Sequence, residues 1–158
     1  AAGPDSSLAI VARNNVGVVL QRLDRFDEAS VILGEVLETR RRVLGSDHHQ
    51  TMHSAHTLAD LRRRQERFIE AASLYREALE GRAEHLGATH PDTRASAIAL
   101  AETLADLDNR AEAETILQNT RAALTSAESP DDRAIASIDE ALARIRAGAT
   151  TDPAPPGQ

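Results

Sequence analysis

The chain has 158 residues, enough for one domain with a real core or for three to four helical-hairpin repeats. Hydrophobic content is 41% but aromatics only 2%, so the core has to be built from Ala, Leu, Val and Ile, which suits closely packed helices better than a sandwich or barrel. The net charge of −7 argues against duplex nucleic acid as a partner, and the absence of Cys excludes disulfides and thiolate metal sites.

Residues 1–7 read as a loop. A first helix is predicted from Leu8 to Leu23, with Ala12, Val16, Val19, Leu20 and Leu23 on one apolar stripe. Asp24-Arg25 forms a short turn. Asp27 is placed to cap a second helix that runs to Val43, with Glu28 favourable in its first turn. Its inward stripe is Ala29, Leu33, Val36, Leu37 and Leu44, and Gly45 stops it. The same plan predicts helices from Gln50 to Arg64 and from Ile69 to His85, the latter ended by Gly87. His90-Pro91-Asp92 opens a third pair, Asp92 to Leu107 and Ala111 to Ser126, because proline fits a first helical turn.

Ser129-Pro130-Asp131-Asp132 reads as another helix start, with Ser129 as N-cap and Pro130 at the first helical position. This last helix extends to Ala147 and carries Ile135, Ile138, Leu142 and Ile145 on one stripe. A lone final helix of this kind is expected to cap the edge of an array. Residues 148–158, rich in Pro, Gly and Thr, read as a disordered tail or linker. No apolar run approaches the ~20 residues of a membrane span and no signal peptide is visible, so no membrane contact is expected and a cytoplasmic location is. The chain does not begin with Met and reads as an excised piece. Every basic residue is Arg, as expected of a GC-rich bacterial genome, which leaves no target for Lys-directed modification.

Segments recur at a fixed distance. Arg25-Phe26-x-Glu28-Ala29 returns as Arg67-Phe68-x-Glu70-Ala71, Leu44-Gly45 as Leu86-Gly87, and Thr51 as Thr93, each 42 residues on. Small and large residues keep fixed offsets: Val16-Gly17-x-x-Leu20 then Ala29 and Leu33, Leu58-Ala59 then Ala71 and Tyr75, Leu100-Ala101-x-x-Leu104 then Ala113 and Leu117. With the junction His90-Pro91-Asp92-Thr93, this pattern resembles the tetratricopeptide repeat in its 42-residue kinesin light chain-like form, over about residues 3–128. The resemblance implies an all-α, right-handed superhelix of three hairpins, about 8–45, 50–87 and 92–127, with a capping helix over 130–147 and the whole array within 1–147. Arg62 stands where Leu20 and Leu104 do, so looser packing is expected there. Arg110 replaces the aromatic of Phe26 and Phe68, making the third unit the most degenerate.

The resemblance also implies recognition of a protein or peptide along a concave face lined by the first helix of each hairpin. With Val16 as the core direction, Val11, Asn14, Val18 and Gln21 point the opposite way, with Arg22 at the edge. The equivalent residues one unit on are His53, His56, Asp60, Arg63 and Arg64, and two units on Ala95, Ile98, Glu102, Ala105 and Asp106. Such a groove is mixed at one end, basic in the middle and acidic toward the third unit. Asn14-Asn15 matches the family's Asn-Asn-Leu-Ala segment, where Asn can bond an extended peptide's backbone, but His56-Thr57 and Ile98-Ala99 do not continue the ladder. The competing reading makes these solvated residues, with Val11 and Val18 packing on an upstream repeat. The family's carboxylate clamp needs Lys, which this chain lacks.

His53, His56 and Asp60 share a helical face and could hold a metal, but groove residues are the simpler reading, and no metal or cofactor is expected. The Arg40–Arg42 and Arg62–Arg64 runs are flanked by acids and point in several directions, so they read as solvated ion pairs and not as a phosphate track. No phosphate loop, nucleophile elbow or paired-carboxylate motif is visible, and no catalytic residue is expected. The expected function is a binding module, a sensor or scaffold portion of a larger multidomain regulatory protein. The alternatives are homotypic assembly through the N-terminal edge or the groove, and regulation of a catalytic domain outside this chain.

Overall fold

The computed structural model describes residues 6–149, apart from the side chain of Ala149. Within them the chain forms α1 (Ser7–Arg22), α2 (Phe26–Leu44), α3 (His49–Arg64), α4 (Phe68–Leu86), α5 (Pro91–Asp106), α6 (Arg110–Thr125) and α7 (Asp132–Ala149), and no strand among those residues. The helices pack as consecutive hairpins, each against the next in the chain. The expected loop over residues 1–5 and the expected tail over residues 150–158 lie outside the described residues, whereas Gly148 belongs to α7 and not to the tail.

The 42-residue period is set by caps and turns. Ser6, His48 and His90 each cap a first helix: the Ser6 hydroxyl accepts from the Ala9 amide, and Nδ1 of His48 and His90 accepts from the amide two residues on, at 3.2 Å. In both histidines the ring proton therefore sits on Nε2. Two residues beyond each first helix stands a residue with left-handed backbone, Asp24, Glu66 or Asp108, at φ of 57°, 59° and 60°. Arg25 and Arg67, not Asp27, occupy the N-cap positions of α2 and α4, with no side-chain cap bond. Gly45 and Gly87 end α2 and α4 at φ of 94° and 88° and ψ near 160°, a region open almost only to glycine. After α6 that glycine is missing, Ser126 stays in the right-handed region, and α6 is 16 residues long where α2 and α4 are 19.

α7 begins at Asp132, capped by Asp131, whose carboxylate accepts from the amides of Arg133 and Ala134, both at 3.1 Å. Ser129 and Pro130 precede the helix and do not open it. Strict periodicity would put this cap at residue 132, so the junction has lost one residue. With that shift, the buried Ala134, Ile138, Ala141, Leu142 and Ile145 fall on the buried Thr93, Ala97, Leu100, Ala101 and Leu104 of α5. α7 is thus built as the first helix of a fourth unit, and it packs on α6 and α5.

Small residues let the helices approach. Ala29, Ala71 and Ala113 are fully buried at equivalent positions of the second helices. Gly17, Ala59 and Ala101 form the matching column on the first helices. At Gly17 the approach is closest, because a Cβ there would lie 2.6 Å from Leu33 Cδ2. Leu33, Tyr75 and Leu117 fill the adjoining column, each at most 1% exposed, and burial of each such side chain stabilises by about 2 kcal/mol. The core forms two clusters, one over α1–α4 and one over α3–α7, both bordered by Leu74.

Two expectations need correction. Of the stripe assigned to α1, only Leu20 is buried; Ala12, Val16, Val19 and Leu23 are exposed, and the core takes Ile10, Asn14, Gly17 and Gln21 instead. Val16 is 50% exposed where its equivalents Leu58 and Leu100 are 6% and 1% exposed. Those two are covered by the preceding helices α2 and α4, and α1 has no preceding helix among the described residues. Leu44, expected to face inward, is exposed at the helix end. Arg62, where looser packing is expected, bonds Ser30 Oγ, Gln65 Oε1 at 2.9 Å and Glu70 at 3.1 Å, and borders a hollow of about 360 Å³ with Leu58 and Leu74.

Candidate functional site

Two shallow hollows lie along the first helices and share Arg63. One, of about 460 Å³, is lined by Gln21 of α1, Asp60, Arg63 and Arg64 of α3, and Tyr75 of α4. The other, of about 350 Å³, is bordered by Arg63, Glu102, Ala105 and Asp106, by Arg110 of α6, and by Arg144, Ile145 and Gly148 of α7. Together they form a track from the first unit to the last helix.

The floor of the first hollow is fixed by a polar network. Tyr75, 1% exposed, donates its hydroxyl to Asp60 Oδ1 at 2.5 Å. Burial and that bond push the phenol far above its ordinary pKa, so it stays a donor at all physiological pH. The His56 ring meets Tyr75 edge-on at 5.1 Å, lies 3.8 Å from Asp60 through Nε2, and shares a 3.2 Å hydrogen bond between Nδ1 and Ser96 Oγ. Burial holds the His56 imidazole below its usual pKa, against the pull of Asp60, so it is neutral near pH 7.

The centre of the track is a chain of charges. Arg63 reaches Glu102 at 3.0 Å and Asp106 at 3.1 Å on α5, and Arg144 of α7 reaches the other oxygen of Glu102 at 2.9 Å. Arg63 is therefore already neutralised, which changes the expected charge pattern. On α1 and α3, the exposed arginines that make no ion pair among the described residues are Arg22 and Arg64, at equivalent positions of the two helices.

The thirteen expected site residues separate accordingly. Gln21, Asp60, Arg63, Arg64, Glu102 and Asp106 are brought together along the track. Asn14 and Gln21 are only 8% exposed, and the buried Oδ1 of Asn14 has no hydrogen-bond partner among the described residues. Ile98 packs against the core and Val18 against the α1–α4 cluster. Val11 and Arg22 are exposed on α1, outside both hollows. His53 points into a separate hollow at the repeat junction, and His56 lies beneath the track. No group of three or more His, Asp or Glu residues among the described ones is arranged to hold a metal.

Tyr75, Arg110 and Arg144 were not foreseen. Tyr75 occupies a core column otherwise filled by Leu33 and Leu117, and its hydroxyl was the available signal, since a buried phenol seeks a partner. Arg144 comes from α7, which packs on α5 and α6 and brings its guanidinium to Glu102. None of the described helices is long and apolar enough to cross a membrane.

Residues 8–84 match the tetratricopeptide repeat family model. No curated protein matches the chain by sequence. Among solved structures, the nearly identical TPR-like repeats described as a kinesin light chain of Podosopora anserina superpose with a TM-score of 0.87 at 20% identity, over 94% of this chain and 70% of that one. A single-substitution variant of those repeats gives the same values. BtubC (BKLC) from P. vanneervenii superposes with a TM-score of 0.70 at 16% identity, over 99% of this chain and 69% of that one.

Proposed function

Because the chain is a tetratricopeptide-repeat protein with the fold of kinesin light chain-like arrays, a class that mediates protein–protein interaction, we propose that the track along its first helices receives an extended segment of a protein partner. The observation that carries this reading is the continuity of the two hollows through Arg63. Tyr75, Asp60, Arg63 and Glu102 form a rigid polar floor, and a floor already bonded loses little freedom when a partner docks.

The unpaired Arg22 and Arg64 at one end give the track a direction. An acidic segment of the partner lies there, and its polar backbone runs over the Arg63–Glu102–Arg144 chain. Such complementarity sets orientation and association rate more than affinity. The partner is a peptide or another domain of the same polypeptide, and the array acts as the sensor or scaffold part of a larger regulatory protein, without catalysis of its own. Homotypic assembly is the second reading. It is favoured by the exposed apolar face of α1, where Leu8, Val16, Val19 and Leu23 are each at least 50% exposed.

The test is to fix the partner by cross-linking from a photoreactive residue at position 64 and, in parallel, at position 84 of α4, and to map the adducts. The reading expects an acidic peptide cross-linked from position 64 only. Adducts from position 84 alone would overturn it, and adducts between two copies of the chain from α1 would favour assembly.

A further inference from the structure

A third hollow, of about 290 Å³, lies at the junction between the first and second units, away from the track. Arg40 of α2 and Arg82 of α4 border it, with His49 and His53 of α3, His85 of α4 and Asp92 of α5 at its sides. Both arginines are almost fully enclosed, 4% and 6% exposed. Each uses Nη1 in the same way. Arg40 donates to the Gln50 carbonyl at 3.0 Å and Ser54 Oγ at 2.6 Å, and Arg82 to the Asp92 carbonyl at 3.0 Å and Ser96 Oγ at 2.7 Å. All four partners are neutral. Neither guanidinium is in an ion pair among the described residues, and Arg40 Nε is buried with no partner at all.

Buried charge without a counter-charge is costly, and packing does not demand it here. In the third unit the equivalent position is Leu124, 2% exposed. A leucine thus fills the same place, yet the two units around this hollow keep arginine. The imidazoles of His49, His53 and His85 also border it. His85 Nδ1 is engaged with the Gly81 carbonyl at 2.9 Å, which leaves Nε2 as its free nitrogen. The sole carboxylate bordering the hollow is Asp92.

We propose that this junction hollow binds a phosphate-class oxyanion, which supplies the ion-pair partner that neither Arg40 nor Arg82 has among the described residues. The anion sits between the two guanidiniums, with His53 donating once protonated. Arg40 from α2, Arg82 from α4, Asp92 from α5, and Asp60 and His56 on α3 act on His53, and His49 and His85 border the same hollow. Without an anion, desolvation and the two arginines keep the imidazole below its usual pKa, against the opposite pull of Asp92 and Asp60. With an anion in place its negative charge favours the protonated imidazole, so the contact with His53 strengthens as pH falls through the histidine range. The ligand is free inorganic phosphate or a phosphorylated side chain, which share this chemistry.

The test uses the whole chain at pH 6 and low ionic strength, titrated with inorganic phosphate, with a phosphoserine peptide, and with chloride at matched ionic strength. The histidine Cε1–H resonances are followed by NMR. The proposal expects phosphate to move the His53 resonance and raise its pKa while His90, outside the hollow, stays put. Arg82→Leu, which copies the residue found at position 124, should weaken binding about tenfold, as loss of one charge-assisted contact does. His53→Ala, at an exposed position, should keep the fold and reduce the pH dependence. Equal responses to free phosphate and phosphopeptide make the free anion sufficient, and a response to the peptide alone makes the source a modified partner; both support the site. No response to either, a response equalled by chloride, or one retained in Arg82→Leu with its fold intact would overturn it.

Discussion

Arg63 of α3 and Asp106 of α5 are ion-paired across two repeats at 3.1 Å, in the same cluster that joins Arg63 to Glu102 at 3.0 Å. A residue that looks in sequence like a free cation for a partner is thus part of the array's own framework. Arg63→Glu should therefore destabilise the fold by about 1 kcal/mol, the scale of a partly exposed pair, and set three carboxylates against one another. Thermal unfolding checks this. An unchanged Tm would mean that the pair contributes nothing and that Arg63 is available to a ligand.

The last helix should matter out of proportion to its length, because repeats are stabilised by their neighbours. Ile138→Ala, at a fully buried site, should cost about 2–4 kcal/mol. Deletion of residues 130–158 should lower Tm further by uncovering Leu117 and Leu124, whereas deletion of residues 150–158 should leave it unchanged. Equal effects of the two deletions would show that α7 does not cover the third unit.

Gly87 holds a backbone conformation that other residues reach only under strain, at φ of 88°. No atom stands within 4 Å of a Cβ placed there, so Gly87→Ala isolates the backbone cost from any clash. The expected loss is about 1–3 kcal/mol by chemical denaturation. A value near zero would mean that the junction relaxes to another turn.

His56 sets a pH dependence. Its pKa is lowered in the folded state, so between the ordinary value near 6.5 and the lower folded value the unfolded chain binds more protons. Stability should then rise with pH across that window and fall as pH drops below about 6.5. His56→Gln should flatten the slope. If the slope steepened, His56 would be protonated in the fold and paired with Asp60.

The repeat was legible in the residues themselves. The columns Gly17, Ala59, Ala101 and Ala29, Ala71, Ala113 recur because only small side chains fit where helices cross. The face of α1 was not, because an apolar stripe does not say which neighbour it serves. Ala12, Val16 and Val19 stand where Ser54, Leu58 and Leu61 are buried against a preceding helix, so the pattern was real but was assigned to the wrong contact. The charges misled for a related reason. The offset that pairs Arg63 with Asp106 is 43 residues, and Arg41 and Arg76 pair with Glu77 and Glu112 across the second helices, each 36 residues on, distances that no local window spans.

The most direct measurement of the central claim is calorimetric titration of the array with its mapped partner segment at two salt concentrations. It compares the Arg22→Glu, Arg64→Glu double variant with Glu84→Arg on α4. Both arginines are exposed and unpaired among the described residues, so the double variant should fold normally. The account predicts at least about tenfold weaker binding with a reduced salt dependence for the double variant, and no change for Glu84→Arg. Full binding by the double variant together with loss in Glu84→Arg would place the partner on the second helices and contradict it.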